Sequence, residues 1–277
     1  MTTPIRYLVF DIESVADGEL VSKIRYSGEG LQPSEAVARY RAELMQRYDN
    51  DFIPYTFQVP ISVAAAKVTA DYRLDDLVVL DEPEFRPHVI TENFWRGWEV
   101  YRRPTLVSFN GRGFDLPLLE LAAFRYGISV PGWFNDAGKS FDQPRSRYNV
   151  RSHIDLCELL TNFGSTRFVG GLNLAANLLG KPGKMDVQGS MVQDIYDTGR
   201  LPEINDYCRC DVLDTYFVFL RTRVMLGQLT LEQEQALVAE TKQWLQDRAD
   251  TQAAFRLYLD HWGDWINPWE SPLAEEG

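Results

Sequence analysis

The apolar positions of this chain change their period along its length. Residues 5–11 have the apolar character of a strand, and "FQVPISVAAAKVTA" (57–70) and "RLDDLVVLDE" (73–82) repeat it around a tight turn. These three segments predict an antiparallel meander. A polar insert, 18–57, separates the first from the second, and within it "PSEAVARYRAELMQRY" (33–48) reads as a helix after Ser34. The period then lengthens. "ITENFWRGWEVYRR" (90–103) predicts a helix with Thr91 as its cap, "TLVSF" (105–109) a short buried strand, and "LPLLELAAFRYG" (116–127) a helix ending at Gly127. Beyond an irregular stretch over 131–149, "HIDLCELL" (153–160) predicts a last strand running into a helix. From about residue 170 the pattern is helical, and "TLEQEQAL" (230–237) opens with the capping-box pair Thr230 and Gln233. The order predicts an α/β fold: a mixed sheet, three antiparallel strands and then parallel ones, flanked by helices.

A chain of 277 residues, 45% hydrophobic and 25% charged, can bury a sizeable core. Its formal charge of −12 argues against coating duplex nucleic acid through a broad basic face. A narrow basic groove beside an acidic site stays compatible with that charge. Three cysteines suggest no disulfide framework. No apolar run approaches membrane-spanning length, and "MTTPIRYLVF" lacks the layout of a secretion signal. The expectation is a cytoplasmic protein with no membrane partner.

The candidate chemistry lies in acids that the patterning places oddly. In "LVFDIES" (8–14), strand alternation puts Asp11 and Glu13 on one face, where two ionised carboxylates repel. Solvent, a basic partner or a cation must offset that. Asp115 in "SFNGRGFD" stands between a strand and a helix, where a helix cap is the bland alternative. In "YCRCD", Tyr207 and Asp211 are four apart on a helix and share a side about one turn (~5–6 Å) apart. Asp206 and Asp214 flank them, and a solvated acidic face is the alternative there.

In this order, Asp-x-Glu, Asn-x-x-x-Phe-Asp and Tyr-x-x-x-Asp, the chain resembles the DEDDy 3′–5′ exonucleases, DnaQ-like members of the ribonuclease H-like fold. It is most similar to the proofreading exonuclease domain of family-B DNA polymerases and to the stand-alone bacterial group related to it. The likeness covers roughly residues 4–226 and implies an exonuclease domain over 1–228, with the helical insert at 18–57, followed by a helical extension and tail over 229–277.

The resemblance implies two divalent ions, Mg²⁺ or Mn²⁺, held by Asp11, Glu13, Asp115 and Asp211. By the same resemblance Asp11 bridges both ions, Glu13 and Asp211 complete the nucleophile-side ion, Asp115 supports the second, and Tyr207 orients the attacking water. The implied activity is release of 5′-mononucleotides from the 3′ end of single-stranded nucleic acid, DNA being the expected polymer. An exoribonuclease acting on short RNA, or a noncatalytic binding domain on the same fold, are the alternatives. A role in DNA repair, and a protein partner reached through the C-terminal extension, are further expectations.

Substrate contacts are expected from Asn110, Arg112 and Phe114 in the loop that two glycines make flexible, and from Lys139 and Arg147. The last two belong to a basic and aromatic stretch, 133–151, of the composition that holds single strands. Lys181 and Lys184 are similar candidates. Asp155 is either a support for the site or a helix cap, and His153 reads as structural. "GWFNDAGKS" (132–140) has one residue too many for a phosphate-binding loop, and the cysteines of "CRC" point to different sides of a helix, so neither is a ligand site.

Overall fold

The computed structural model describes residues 4–184 and 189–270. Its five-stranded sheet has the order β3-β2-β1-β4-β5. Strand β1 (Ile5–Ala16) pairs antiparallel with β2 (Gln58–Thr69), which pairs antiparallel with β3 (Leu74–Val79). On its other edge β1 runs parallel to β4 (Thr105–Ser108), and β4 to β5 (His153–Asp155). The fold is the mixed ribonuclease H-like sheet flanked by helices.

The first strand continues past Asp11, where the apolar run had placed its end, to Ala16. Pairing engages only the backbone, so Asp11 opposite Ala64 and Glu13 opposite Ser62 extend the ladder despite their charge. Side-chain alternation then divides the core. Leu8, Phe10 and Ile12 pack with helices α3 (Pro87–Val100) and α4 (Asp115–Tyr126) through Phe94, Trp95, Leu116 and Leu119. Tyr7 and Val9 pack on the opposite face against α8 (Leu201–Met225). Asp11 and Glu13, in phase with Val9, therefore face α8.

Helix α8 is buried on nearly all sides because a second helical layer covers it. Leu237 and Leu245 of α9 (Leu231–Gln246), and Phe255 and Tyr258 of α10 (Ala253–Asp260), share one cluster with Val9 and Phe219. Its seating on the sheet is fixed by a buried hydrogen bond from Ser62 to Asn205, 2.6 Å long. The described part of the C-terminal extension is thus packed into the main core. Thr230 and Gln233 form the expected capping box. The last residues of the tail, 271–277, lie outside the described residues.

The insert holds two helices, α1 (Gly18–Arg25) and α2 (Pro33–Tyr48), with a small core of Val21, Tyr26, Ala36, Val37, Tyr40 and Ile53. Helix α2 begins at Pro33, one residue before Ser34, and Glu35 accepts a 3.0 Å bond from the Gln32 amide. Thr91 is not a cap either. Pro87 starts α3 after Arg86, and the Thr91 hydroxyl bonds back to the Pro87 carbonyl at 2.6 Å. The connections beyond β5 include α5 (Leu156–Leu160), α6 (Gly171–Asn177) and α7 (Val192–Asp197).

Candidate active site

Strand β1 outruns its parallel neighbour. Pairing with β4 involves only Tyr7 to Val9, so from Asp11 onward that edge of β1 faces the loop after β4 and the start of α4. Ligand sites of open α/β sheets form at such strand ends. Directly after Glu13 the ladder with β2 shifts, from Glu13 opposite Ser62 to Ser14 opposite Pro60, a bulge of the kind that re-aims side chains near sites.

Three elements converge on this point. From β1 come Asp11 and Glu13, and from α8 come Tyr207 and Asp211. One carboxylate oxygen each of Asp11, Glu13 and Asp211 lies within 4.8 Å of the others. Asp115 borders the same cavity as these three. It is the first residue of α4, with Phe114 in the cap position making no side-chain cap bond, so the Asp115 carboxyl is not spent on capping.

Electrostatics confirm the crowding. Burial, reinforced by the neighbouring carboxylates, pushes Asp11 and Glu13 well above the usual carboxylate range. Burial raises Asp115 to about 7, with the Asp155 charge adding and nearby backbone amides opposing. It also raises Asp211 to about 7, against the hydrogen bond from Tyr207 and the charge of Lys184. Burial, and then the charges of Asp211, Glu13 and Asp11 beside it, push the Tyr207 phenol far above its ordinary value. At neutral pH that hydroxyl is a proton donor, not a base. Carboxylates crowded at the wall of a cavity, two of them buried and Asp11 and Asp211 partly so, form an all-oxygen donor set that fits a hard divalent cation.

Asp214 departs from the solvated-face reading. It is fully buried and accepts a 2.6 Å hydrogen bond from Tyr258 of α10, while burial raises it to about 8. Asp206, half-buried, pairs with the buried Arg209 at 2.9 Å. The two thiols of "CRC" do diverge: Cys208 lies 3.4 Å from the Asp11 carbonyl, and Cys210 faces the Ala254 carbonyl at 3.8 Å.

Asp155 does both jobs considered for it. Its carboxylate caps α5, accepting from the amides of Cys157 and Glu158. It also accepts from the amides of Asn110 and Arg112, each at 2.9 Å, which pins the loop that leads to Asp115. That loop is therefore ordered, where its glycines had suggested flexibility. A Cβ on Gly111 would come within 2.2 Å of the Ser108 hydroxyl and 3.1 Å of the Asp115 carboxylate, so close approach is what requires glycine. Asp155→Ala should destabilise the fold by about 2–4 kcal/mol, as lost capping plus stranded amides, and slow catalysis about tenfold. Urea denaturation together with cleavage rates tests this; unchanged values for both would remove the pinning role. His153 is buried and its Nε2 lies 2.8 Å from the Ser108 hydroxyl, away from the acids.

A cavity of about 400 Å³ opens beside the acids, lined by Asp11, Glu13, Asp115 and Asp211 and by Asn110 and Phe114. Its remaining wall was not legible in the sequence. Arg41, Asn50, Asp51, Phe52 and Ile53 of the insert line it, with Gln58 and Gln193. Phe52, 55% exposed, meets Phe114 with ring centroids 5.6 Å apart. The only signal for this was the length of an insertion joining two paired strands beside the acids.

The expected basic contacts have protein partners. Arg112 and Arg147 both engage Glu158, at 3.0 and 2.9 Å. Arg145 pairs with Glu120 at 2.7 Å, and Trp133 is a core residue. Lys139 is exposed, over the ring of Phe141 at 5.6 Å. Lys181 is buried under the ring of Trp262 at 4.0 Å and donates to the Gly263 carbonyl at 3.2 Å, which corrects its reading as a substrate contact. Lys184 is exposed, and its charge reaches Glu13 and Asp211.

The mixed sheet thus gathers four acids and a tyrosine at one strand end. Residues 50–265 match the model of a family described as predicted 3′–5′ exonuclease related to the exonuclease domain of PolB, and the chain belongs to that family. The match takes in Asp115, Tyr207 and Asp211, and starts after Asp11 and Glu13, which the fold brings to them. Among solved structures the chain is similar to the family B DNA polymerase from the hyperthermophilic archaeon Pyrobaculum calidifontis, at 15% identity and a TM-score of 0.49. That likeness covers 81% of this chain and 25% of the polymerase. No curated protein matches. Among the described residues no helix is long and apolar enough to cross a membrane.

Proposed function

We propose that the protein is a metal-dependent 3′–5′ exonuclease that removes 5′-mononucleotides from single-stranded DNA. The observation that carries this reading is the convergence of Asp11, Glu13 and Asp211 within 4.8 Å, with Asp115 on the same cavity, in a chain of this family. We read residues 1–228 as the nuclease domain with its insert, and 229–277 as an extension joined to it through α8.

Asp11, Glu13, Asp115 and Asp211 would hold the divalent ions, Mg²⁺ or Mn²⁺. Such ions, when bound, favour attack of water on phosphorus and neutralise the charge that develops on the phosphoryl oxygens. The chain's own groups orient the reaction. Tyr207, protonated and donating its one O–H to Asp211, accepts from the attacking water through the same oxygen and so orients it. The insert cavity takes the terminal nucleotide, its base against Phe52 and Phe114 and its sugar toward Asn110. At about 400 Å³ the cavity suits one nucleotide.

The test is a cleavage time course on 5′-labelled DNA and RNA oligonucleotides with Mg²⁺ or Mn²⁺. A ladder that shortens from the 3′ end supports the reading, and the faster polymer names the sugar. No cleavage of either polymer would leave a binding domain. Tyr207→Phe should slow the reaction about 10–100-fold with metal affinity largely kept; equal rates would remove its positioning role.

A further inference from the structure

Asp11 and Asp211 also border a second cavity, of about 540 Å³, that contains nothing of the insert. Its walls include Arg147, Thr166, Arg167 and Phe168. Charge distinguishes the two cavities. In the first, Arg41 is cancelled by Asp51, 2.6 Å away. In the second, on the wall away from Asp11 and Asp211, the guanidinium group of Arg147 shares the one carboxylate there, Glu158, with Arg112. Exposed Arg167 adds a second guanidinium group and forms no ion pair among the described residues.

The turn on the rim of this second cavity is strained. Asn162 and Phe163 both adopt left-handed backbone, at φ 50° and 57°. For a bulky residue such as phenylalanine that conformation is an outlier. Burial does not offset it, because the Phe163 ring is 40% exposed. Instead the ring packs on Tyr148, itself 65% exposed, with centroids 5.3 Å apart. Arg147 donates to the Phe163 carbonyl at 2.6 Å and so ties the basic wall to the aromatic pair. Guanidinium groups beside exposed rings are the chemistry that holds single strands, by phosphate attraction and sequence-tolerant stacking.

We propose that the single strand leading to the scissile phosphate enters through this second cavity. Its phosphates lie along the wall of Arg147 and Arg167, and its bases stack on Tyr148 and Phe163. The acid-walled cavity of the insert then receives only the terminal nucleotide. The catalytic meaning of this track rests on the exonuclease reading; the binding surface itself does not.

The test is fluorescence anisotropy of a 5′-fluorescein, phosphorothioate-linked oligothymidylate with Mg²⁺, across a salt series. Arg167→Ala should weaken binding and reduce the slope of log K against log salt by about 0.7. Tyr148→Ala should weaken binding about fivefold or more at an unchanged slope. Phe163→Gly suits the left-handed backbone, so it should keep or raise the thermal midpoint and still lower affinity like Tyr148→Ala. Wild-type affinity in all three variants, or no binding by wild type, overturns the track. Hydrolysis of thymidine 5′-monophosphate p-nitrophenyl ester, which has no upstream strand, separates the two readings. An ester left uncut while the variants lose binding sinks the exonuclease and keeps the track. An ester that is cut while the variants bind normally sinks the track alone.

Discussion

Asp11→Asn is expected to abolish cleavage, by about a thousandfold or more, and to raise the thermal midpoint of the metal-free protein. Both effects follow from one arrangement. Asp11 is the acid that the charges of Asp115, Asp211 and Glu13 all push upward, after burial has done so first. Its carboxylate is within reach of Glu13 and Asp211 as a shared donor set. The amide of asparagine keeps the shape and part of the hydrogen bonding but removes the charge. Without a bound cation the remaining acids repel one another less, so the fold gains stability while the site loses its function. Each kcal/mol of relieved repulsion should appear as about 2–4 °C in the midpoint. Cleavage assays and thermal melts in EDTA measure the two sides. A variant that melts lower than wild type in EDTA would show that the cluster stores no repulsion, and one that still cleaves at the wild-type rate would remove Asp11 from the chemistry.

The second large effect is a pH dependence that cations reverse. Asp115 and Asp211 sit at about 7 in the folded protein, against ordinary carboxylate values near 4 in an unfolded chain. Asp11 and Glu13 are shifted in the same direction. Below about pH 4 both states hold these protons, and the shifts cost no stability. Between about pH 4 and 7 the unfolded chain releases protons that the folded chain retains. The unfolded state then binds fewer protons, so the contribution of Asp115 and Asp211 to stability falls as pH rises and is lost above that window, with Asp11 and Glu13 acting in the same direction.

Adding Mn²⁺ or Mg²⁺ replaces the missing positive charge and releases those protons. The gain in midpoint on adding metal should therefore be larger at about pH 8 than at about pH 5. Thermal melts across pH, with EDTA and with Mn²⁺, check this. An equal gain at both pH values would contradict the raised acids. Asp11→Asn should flatten the profile, which ties this prediction to the first.

Much of the site was legible because it rests on two short periods. Strand alternation alone puts Asp11 and Glu13 on one face, and four-residue helical spacing puts Tyr207 beside Asp211. Asp115 was ambiguous in sequence, since an Asp before "LPLLEL" is a natural cap. Phe114 takes the cap position in the structure and leaves that carboxyl to the cavity. Asp214 was harder still. It lies on the same helix as the acids, and only the arrival of Tyr258 from α10 explains why a charged residue type is fully buried there.

By itself, then, the sequence determined the chemical types at the site and their local phase, because these follow from backbone geometry within a few residues. The tertiary structure decided what distance decides. It ended β4 short of β1 and so opened the edge beside Asp11. It brought the insert round to wall a cavity, and gave Arg112 and Arg147 to Glu158. Burial and ion pairing depend on separations in space between segments far apart in the chain, and charge interactions fall off with that separation and with access to water. No local period in a sequence encodes those distances.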